Sequence, residues 1–254
     1  MSREDFRRAV RDDPVDLGLV CLLMGREVDP DLDVSAGLAS LDALAAAVPS
    51  TDPDDLDRVR AVLGSALSAF GGTPEDYADL RSSLLHEVLR RRRGLPIVLA
   101  VVWLEVARRA GLPAFPVGLP GHFLVGVGSP EGPYLLVDAF AGGAVVTRVP
   151  DGIRPYAGLE VVLRVLNNVR AQAAALPALV EANRTALWAT ELSLLLPRHP
   201  AALRRERGVL LARVGQFAQG AAELEAYADA VSGADDGAAE EARRQARLAR
   251  ARLN

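Results

Sequence analysis

The stretch Leu95-Pro96-Ile97-Val98-Leu99-Ala100-Val101-Val102-Trp103-Leu104 limits the possible folds more than any other part of the chain. Pro96 suits a first helical turn, because its fixed φ is already helical and its missing N–H is one that a helix start leaves unpaired anyway. The residues that follow are apolar nearly all round until Glu105, Arg108 and Arg109, and Gly111 closes the run. A helix without a polar face has to be enclosed on every side. The unbroken apolar run from Leu95 to Leu104 is about half of the roughly 20 residues that a bilayer span needs, so the enclosure is a protein core. After Leu112-Pro113 the period changes to β-branched segments at about 114–119, 122–128, 134–139 and 144–149, separated by Ser129-Pro130-Glu131-Gly132 and Gly142-Gly143. Turns this short imply antiparallel pairing. The sequence therefore predicts an α+β core in which a helix from about Pro96 to Ala110 packs on one face of an antiparallel sheet.

Helices flank this core on both sides. Apolar residues such as Leu38, Leu41, Leu44 and Ala45 recur at helical spacing in the first seventy residues, broken at Asp29-Pro30 and Pro49-Ser50-Thr51-Asp52-Pro53, which predicts about three short helices. Thr73-Pro74-Glu75-Asp76 reads as the start of a further helix, with Tyr77, Leu80, Leu84 and Val88 on one stripe. Arg90 to Arg93 would end it as solvated charges that complement the helix dipole, with a binding patch for an acidic partner as the other reading. From about Gly158 the pattern is helical again, with breaks near Pro177, Pro197 to Pro200, Gly215 and Gly233 to Gly237. Within it Ala201-Ala202-Leu203, Gly208, Leu210-Leu211, Gly215-Gln216-Phe217, Ala221 and Tyr227 resemble a tetratricopeptide-like helical hairpin. Only one or two such units fit, and a binding solenoid generally needs three. The tail either binds a partner or packs on the core as a cap. No Pro/Ser/Gly-rich linker separates the parts, so the expected organisation is a core with its N-terminal helices over 1–157 and a helical tail over 158–254 packed on it.

Composition removes several function classes. A net charge of −4 without acidic or basic blocks gives no reason to expect nucleic acid or an anionic membrane as partner. All 29 basic residues are arginine, which excludes lysine Schiff-base chemistry. Cys21 is the single cysteine and cannot form an internal disulfide, and Met1-Ser2-Arg3-Glu4-Asp5-Phe6 lacks the apolar core of a signal peptide, so a cytoplasmic location is expected. The glycines between Gly118 and Gly128 have neither a P-loop lysine nor a strand–GxGxxG–helix order, and no His/Cys/Asp cluster has ligand spacing. No cofactor or metal is expected.

The chemistry that remains centres on His122, in Leu119-Pro120-Gly121-His122-Phe123, and on Asp138, sixteen positions later in Val137-Asp138. In cysteine acyl transfer an imidazole takes the thiol proton and a carboxylate fixes the imidazole tautomer, so a His–Asp pair supplies two parts of three. Together with Leu89-Arg90-Arg91-Arg92-Arg93-Gly94-Leu95-Pro96 and Ala107-Arg108-Arg109-Ala110-Gly111-Leu112-Pro113, these motifs resemble the bacterial SirB-type branch of the transglutaminase-like superfamily, a transglutaminase-like core followed by a tetratricopeptide-like tail. The resemblance covers nearly the whole chain and is densest over 84–143; Asn167-Asn168-Val169-Arg170 and Arg205-Glu206-Arg207-Gly208 fit the same order. It implies a papain-like α+β fold, with His122 and Asp138 on the family histidine and aspartate. Active members of the wider superfamily carry Gly-x-Cys at the start of the central helix. Aligned on Gly94 and Gly111, that pattern puts the nucleophile at Pro96, and a two-residue slip reaches Val98; neither side chain can attack a carbonyl. The SirB-type branch commonly has this Gly-x-Pro.

Other candidates are weaker. Cys21 sits among Leu19-Val20 and Leu22-Leu23 as a buried helix residue would. Ser82 and Ser83 lie more than ten residues before the site, and His86 and His199 read as ordinary helix and turn residues. The expectation is a protein without a nucleophile whose groove or tail serves interaction or regulation, with a protein or peptide as partner. The alternative is a peptidase, amidase or acyl-transfer enzyme that uses His122 and Asp138 with another nucleophile or water, and in the structural reading of the same pair His122 merely bonds Asp138 and orders the strands.

Overall fold

Three of the first four helices begin where an aspartate accepts a free amide of the first turn. In the computed structural model, which describes residues 3–148 and 153–253, α1 spans Arg3–Ala9. Asp16, Asp33 and Asp55 then cap α2 (Leu17–Gly25), α3 (Val34–Ala46) and α4 (Leu56–Ala66), their carboxylates accepting from the amides of Leu19, Ala36 and Arg58 at 2.8, 3.1 and 3.0 Å. The chain thus makes four short helices where the apolar spacing predicts about three. The chain divides into two units, one up to Val165 and the other from Leu166.

The single helix expected from Thr73 to Arg93 does not form. Two 3-10 turns, Pro74–Ala78 and Leu80–Ser83, precede α5 (Leu85–Arg91). The break falls at Asp79, whose side chain competes with the backbone for an amide of the expected helix and caps a second turn. Asp79 accepts from the amide of Arg81 at 3.0 Å, and Asp76, fully buried, accepts from the Thr73 amide at 2.9 Å, the Ser82 hydroxyl at 2.6 Å and Arg93 Nε at 3.0 Å. Tyr77, expected on the apolar stripe, is 47% exposed, because the broken helix turns it outward. The arginines differ as well from the solvated helix end expected of them. Arg91 bonds Asp79 at 2.9 Å, Arg93 bonds Asp76, and Arg92 adopts the left-handed conformation (φ 60°) that stops α5 while its guanidinium lies 4.6 Å from the Phe70 ring. Arg90, paired with Glu87, and Arg92 are exposed at the helix end as expected. Burial of Asp76 raises its pKa, but the bonds from Arg93, Ser82 and Thr73 outweigh that effect and hold it below the ordinary carboxylate value.

This network fixes the entry to α6 (Pro96–Arg109), whose first amide outside the helix, that of Leu95, donates to the Ser82 carbonyl at 2.9 Å. The twelve residues from Pro96 to Ala107 are all buried, as the sequence predicts. Each enclosed Val, Leu or Ile contributes about 1.5–3 kcal/mol, more than any cap, so apolar burial sets where the helix lies. At its far end the buried Glu105 accepts from Arg108 at 2.9 Å and from Arg109, and these arginines also reach Asp16 and Asp42. The exit of the central helix is thus tied by charge to α2 and α3.

The sheet follows as β1 (Ala114–Leu119), β2 (His122–Gly128), β3 (Tyr134–Asp138), β4 (Ala144–Val145) and β5 (Arg154–Pro155), ordered β4-β3-β2-β1-β5 and antiparallel throughout. Only two residues of the strand expected at 144–149 are extended, and position 149 lies outside the described residues. β5 has no sequence signal, since Pro155 lacks an amide and two residues show no period; its pairing with β1 is purely tertiary. α6 packs on β1 and β2, and Phe115, Val117, Leu124 and Leu136 form a separate apolar cluster on the sheet.

Helices α7 (Gly158–Ala173), α8 (Leu179–Leu194), α9 (Ala202–Arg213), α10 (Phe217–Val231) and α11 (Asp236–Arg250) complete the chain, with breaks where proline and glycine predict them. Small residues let successive helices of the second unit approach closely. A Cβ on Gly208 would lie 3.0 Å from the Gly220 carbonyl, and one on Gly220 would lie 2.7 Å from the Gly208 carbonyl. Ala221, Ala246 and Ala249 continue the same contact around Leu224.

Asp76→Ala should leave Arg93 and the Thr73 amide without their acceptor and cost about 3–5 kcal/mol in urea unfolding. Because the folded pKa is depressed, the contribution of Asp76 is present above the unfolded Asp value and lost as pH falls through the folded one. The difference between wild type and variant should therefore shrink in acid; an unchanged difference would contradict this role.

Candidate functional site

Pro120 and Gly121 form the two-residue turn between β1 and β2, with Leu119 paired to His122 and Gly121 at φ 72°. Proline followed by a positive-φ glycine is what a tight turn of this kind requires, so His122 is set at the first position of β2 by local sequence alone. Asp138 is the last residue of β3. The register Val125↔Val137 puts Leu124 opposite Asp138, which makes His122 its diagonal neighbour on the same face. His122 Nε2 and Asp138 Oδ2 are 2.8 Å apart.

The other carboxylate oxygen of Asp138 accepts from the amides of Phe140 at 2.9 Å and Ala141 at 3.2 Å. Partial burial raises the pKa of this carboxyl, yet the bonds from His122, Ala141 and Phe140 bring it below the ordinary Asp value, so it is an anion at neutral pH. An anionic acceptor at Nε2 orients the ring and leaves Nδ1 as the nitrogen free for proton transfer; Nδ1 has no hydrogen-bond partner among the described residues. The two side chains are 29% and 19% exposed, which leaves them open to small solutes.

Two aromatic residues wall the pair. The Phe140 ring stands edge-on to His122 at 6.2 Å and to Tyr77 at 5.7 Å. Burial, and then the charge of Asp138, raise the pKa of the Tyr77 phenol. Phe140 also closes on Gly72, where a Cβ would be 2.0 Å from its ring and 2.8 Å from the Gly94 carbonyl, so this ring lies beside both the histidine and the turn that leads into Pro96. Arg164 of α7 supports the arrangement from behind. It donates to the carbonyls of Leu119 at 2.5 Å and His122 at 3.1 Å and to the Tyr156 hydroxyl at 3.1 Å, gripping the turn that presents His122. Neither Tyr77 nor Arg164 carries a sequence signal for this site. Arg164 is one of many helical arginines, and only the fold brings it to carbonyls 42 and 45 positions away.

The remaining candidates lie elsewhere. Pro96 is buried at the first turn of α6. Cys21 is enclosed in α2, and burial, reinforced by Glu105 and Asp16, pushes its thiol far above the ordinary range. Ser82 is committed to Asp76, and Ser83 is buried. His86 is half-buried in α5, where burial lowers its pKa, and His199 is exposed near Pro200. Among the described residues no group of three His, Cys, Asp or Glu side chains converges to hold a metal, and no helix is long and apolar enough to cross a membrane.

The profile described as "Transglutaminase-like superfamily" matches residues 35–150, and that described as "Tetratricopeptide repeat" matches residues 175–254. A "UPF0162 protein" of Xylella fastidiosa (strain 9a5c) is 32% identical, with 86% of this chain and 85% of that protein covered. A second, of strain Temecula1, is 30% identical over the same shares. The mouse "F-box only protein 21" is 36% identical over 99 residues, which cover 36% of this chain and 16% of that protein. No solved structure matches the chain.

Arg164→Ala should leave the Leu119 and His122 carbonyls without their donor. The expected cost is about 1–3 kcal/mol, with faster amide hydrogen exchange over 119–123 and little change in the second unit. Exchange at the turn equal to that of wild type would show that Arg164 does not hold it.

Proposed function

From the premise that the chain belongs to the UPF0162 family, and from the fate of every side chain that could serve as nucleophile, we propose that it is a transglutaminase-like protein that acts by interaction or regulation and not by acyl transfer. The observation that carries this reading is the pairing of an ordered His122–Asp138 couple with a proline at the position where the resemblance puts the attacking thiol. The one thiol of the chain is enclosed, and burial keeps it protonated. The Phe140 ring stands against the imidazole, which suits a retained structural pair. The tetratricopeptide-like region supports interaction with another protein in general terms.

A second reading has its own support. Nδ1 of His122 has no partner among the described residues, and Asp138 holds the ring through Nε2, so the couple has the parts of a general base for water. In that reading the imidazole takes a proton from water as its oxygen attacks an amide or ester carbonyl, then returns a proton to the leaving group.

Thiol-directed acyl-enzyme probes, such as a peptidyl vinyl sulfone, should fail to label the folded wild type, and a panel of fluorogenic amides and esters should not be hydrolysed. Pro96→Cys tests the geometry separately: a gain of labelling that disappears with His122→Ala is the expected result. Labelling of the wild type at Cys21 that His122→Ala abolishes without unfolding would overturn the proposal. Hydrolysis lost in both His122→Ala and Asp138→Asn would establish the water-activating enzyme instead.

A further inference from the structure

The second unit contains a pocket of about 600 Å³ between the end of α7, one face of α8 and one face of α9. That volume lies within the range of sites that bind organic ligands. Its wall is built on α8 positions 179, 182, 183 and 186 and on α9 positions 202, 205, 206, 209 and 213, the spacings that put residues on one helix face. The floor is apolar, with Leu176, Val209, Leu210 and small alanines between them.

Three polar features stand out against that floor. Asn183 is 7% exposed, lines the pocket, and its side-chain amide has no hydrogen-bond partner among the described residues. Its amide opens on the pocket and offers two donors and an acceptor to whatever enters. Arg170, Arg205 and Arg213 line the pocket with a single acid, Glu206, and Arg170 neutralises that acid at 3.3 Å. Arg205 has only a 3.4 Å bond to Gln245, and Arg213 has no ion-pair partner among the described residues, so two guanidinium groups remain uncompensated. At the mouth Leu179 and Val180 are 73% and 62% exposed. Val180 is not part of the pocket wall.

We propose that this pocket is a docking site for an acidic peptide segment of a partner protein, which pairs its carboxylates with Arg205 and Arg213, a main-chain amide with Asn183, and an apolar side chain with the floor beside Leu179 and Val209. The three features select this occupant together. The unpaired guanidiniums call for an anion, and planar bidentate pairing makes carboxylates suitable. A free-standing anion would leave the Asn183 amide and the apolar floor unused, whereas a peptide bond supplies the donor and acceptor that a side-chain amide complements. A chain that runs on from the pocket would also cover Val180, which a small solute cannot reach. The proposal rests on the reading of the protein as an interaction module, and its test leaves the His122 site untouched. Failure here would remove this partner class without bearing on the labelling test of that reading.

The experiment is selection of randomised heptapeptides displayed against the full chain, followed by fluorescence polarisation with the enriched peptides. Enrichment of Asp or Glu next to Leu, Ile or Phe is expected. Arg205→Glu and Arg213→Glu should each weaken binding roughly tenfold, and binding should fall steeply with added salt. Asn183→Leu, which fills the wall without adding charge, should weaken it roughly tenfold as well while the circular dichroism melt stays close to wild type. Arg213 is exposed, so Arg213→Glu provides a variant whose folding is not at stake. Absence of enrichment, enrichment of basic or neutral peptides, binding unaffected by Arg205→Glu with Arg213→Glu, or competition by free glutamate as strong as by the peptide would each overturn the proposal.

Discussion

The twelve buried residues from Pro96 to Ala107 need apolar cover on every side, and most of the first unit can be understood as the means of supplying it. The sheet covers one side and α2 to α5 the others. A helix that slides in an apolar sleeve would have no fixed register, because hydrophobic burial is not directional. The directional element is charge at the two ends. Asp76 with Arg93 and Ser82 fixes the entry, and Glu105 with Arg108 and Arg109 fixes the exit. Both acids are buried, so each needs its arginines, and the geometry tolerates little displacement.

The same fixation decides what the His122 region can do. The Arg93-Gly94-Leu95 entry lies against Gly72, and Gly72 against Phe140, which reaches the imidazole; a shift of α6 would be felt at the ring. On the other side Arg164 grips the turn from α7. The His122–Asp138 couple is therefore held by the fold and does not depend on a third catalytic member to order it. Proline supplies a preset φ and needs no amide partner at the first turn, so Pro96 suits the start of α6.

The second unit follows a different rule. Gly208, Gly220 and a series of alanines let the backbones of α9, α10 and α11 come close around Leu224 and Tyr227, whereas α8 and α9 meet through Leu187, Leu210 and Leu211. The pocket face carries the exposed Leu179 and the arginines around Asn183.

The extent of α6, the antiparallel strands at 114–119 and 122–128, the tight Pro120-Gly121 turn and the breaks between the last helices were all legible in the sequence, because each depends on local period or on the backbone limits of proline and glycine. The His122–Asp138 contact was legible only as a pair of residue types at matching family positions; the strand register turned it into a 2.8 Å bond. Other features depended on distant partners. Nothing near Thr73 announces that Asp76 will be buried and will accept from Arg93, so the stripe of Tyr77, Leu80, Leu84 and Val88 suggested one helix where Asp79 took the Arg81 amide and started a second turn. The run Arg90 to Arg93 suggested solvated charge for the same reason. Arg164 and Asn183 acquire their meaning from groups brought close by folding, or left empty by it. Local sequence determined which segments are helix and strand, since propensity and turn chemistry act over a few residues. Tertiary structure alone decided which polar groups would be buried together, because the cost of an unpaired charge or amide is incurred only where the folded chain excludes water.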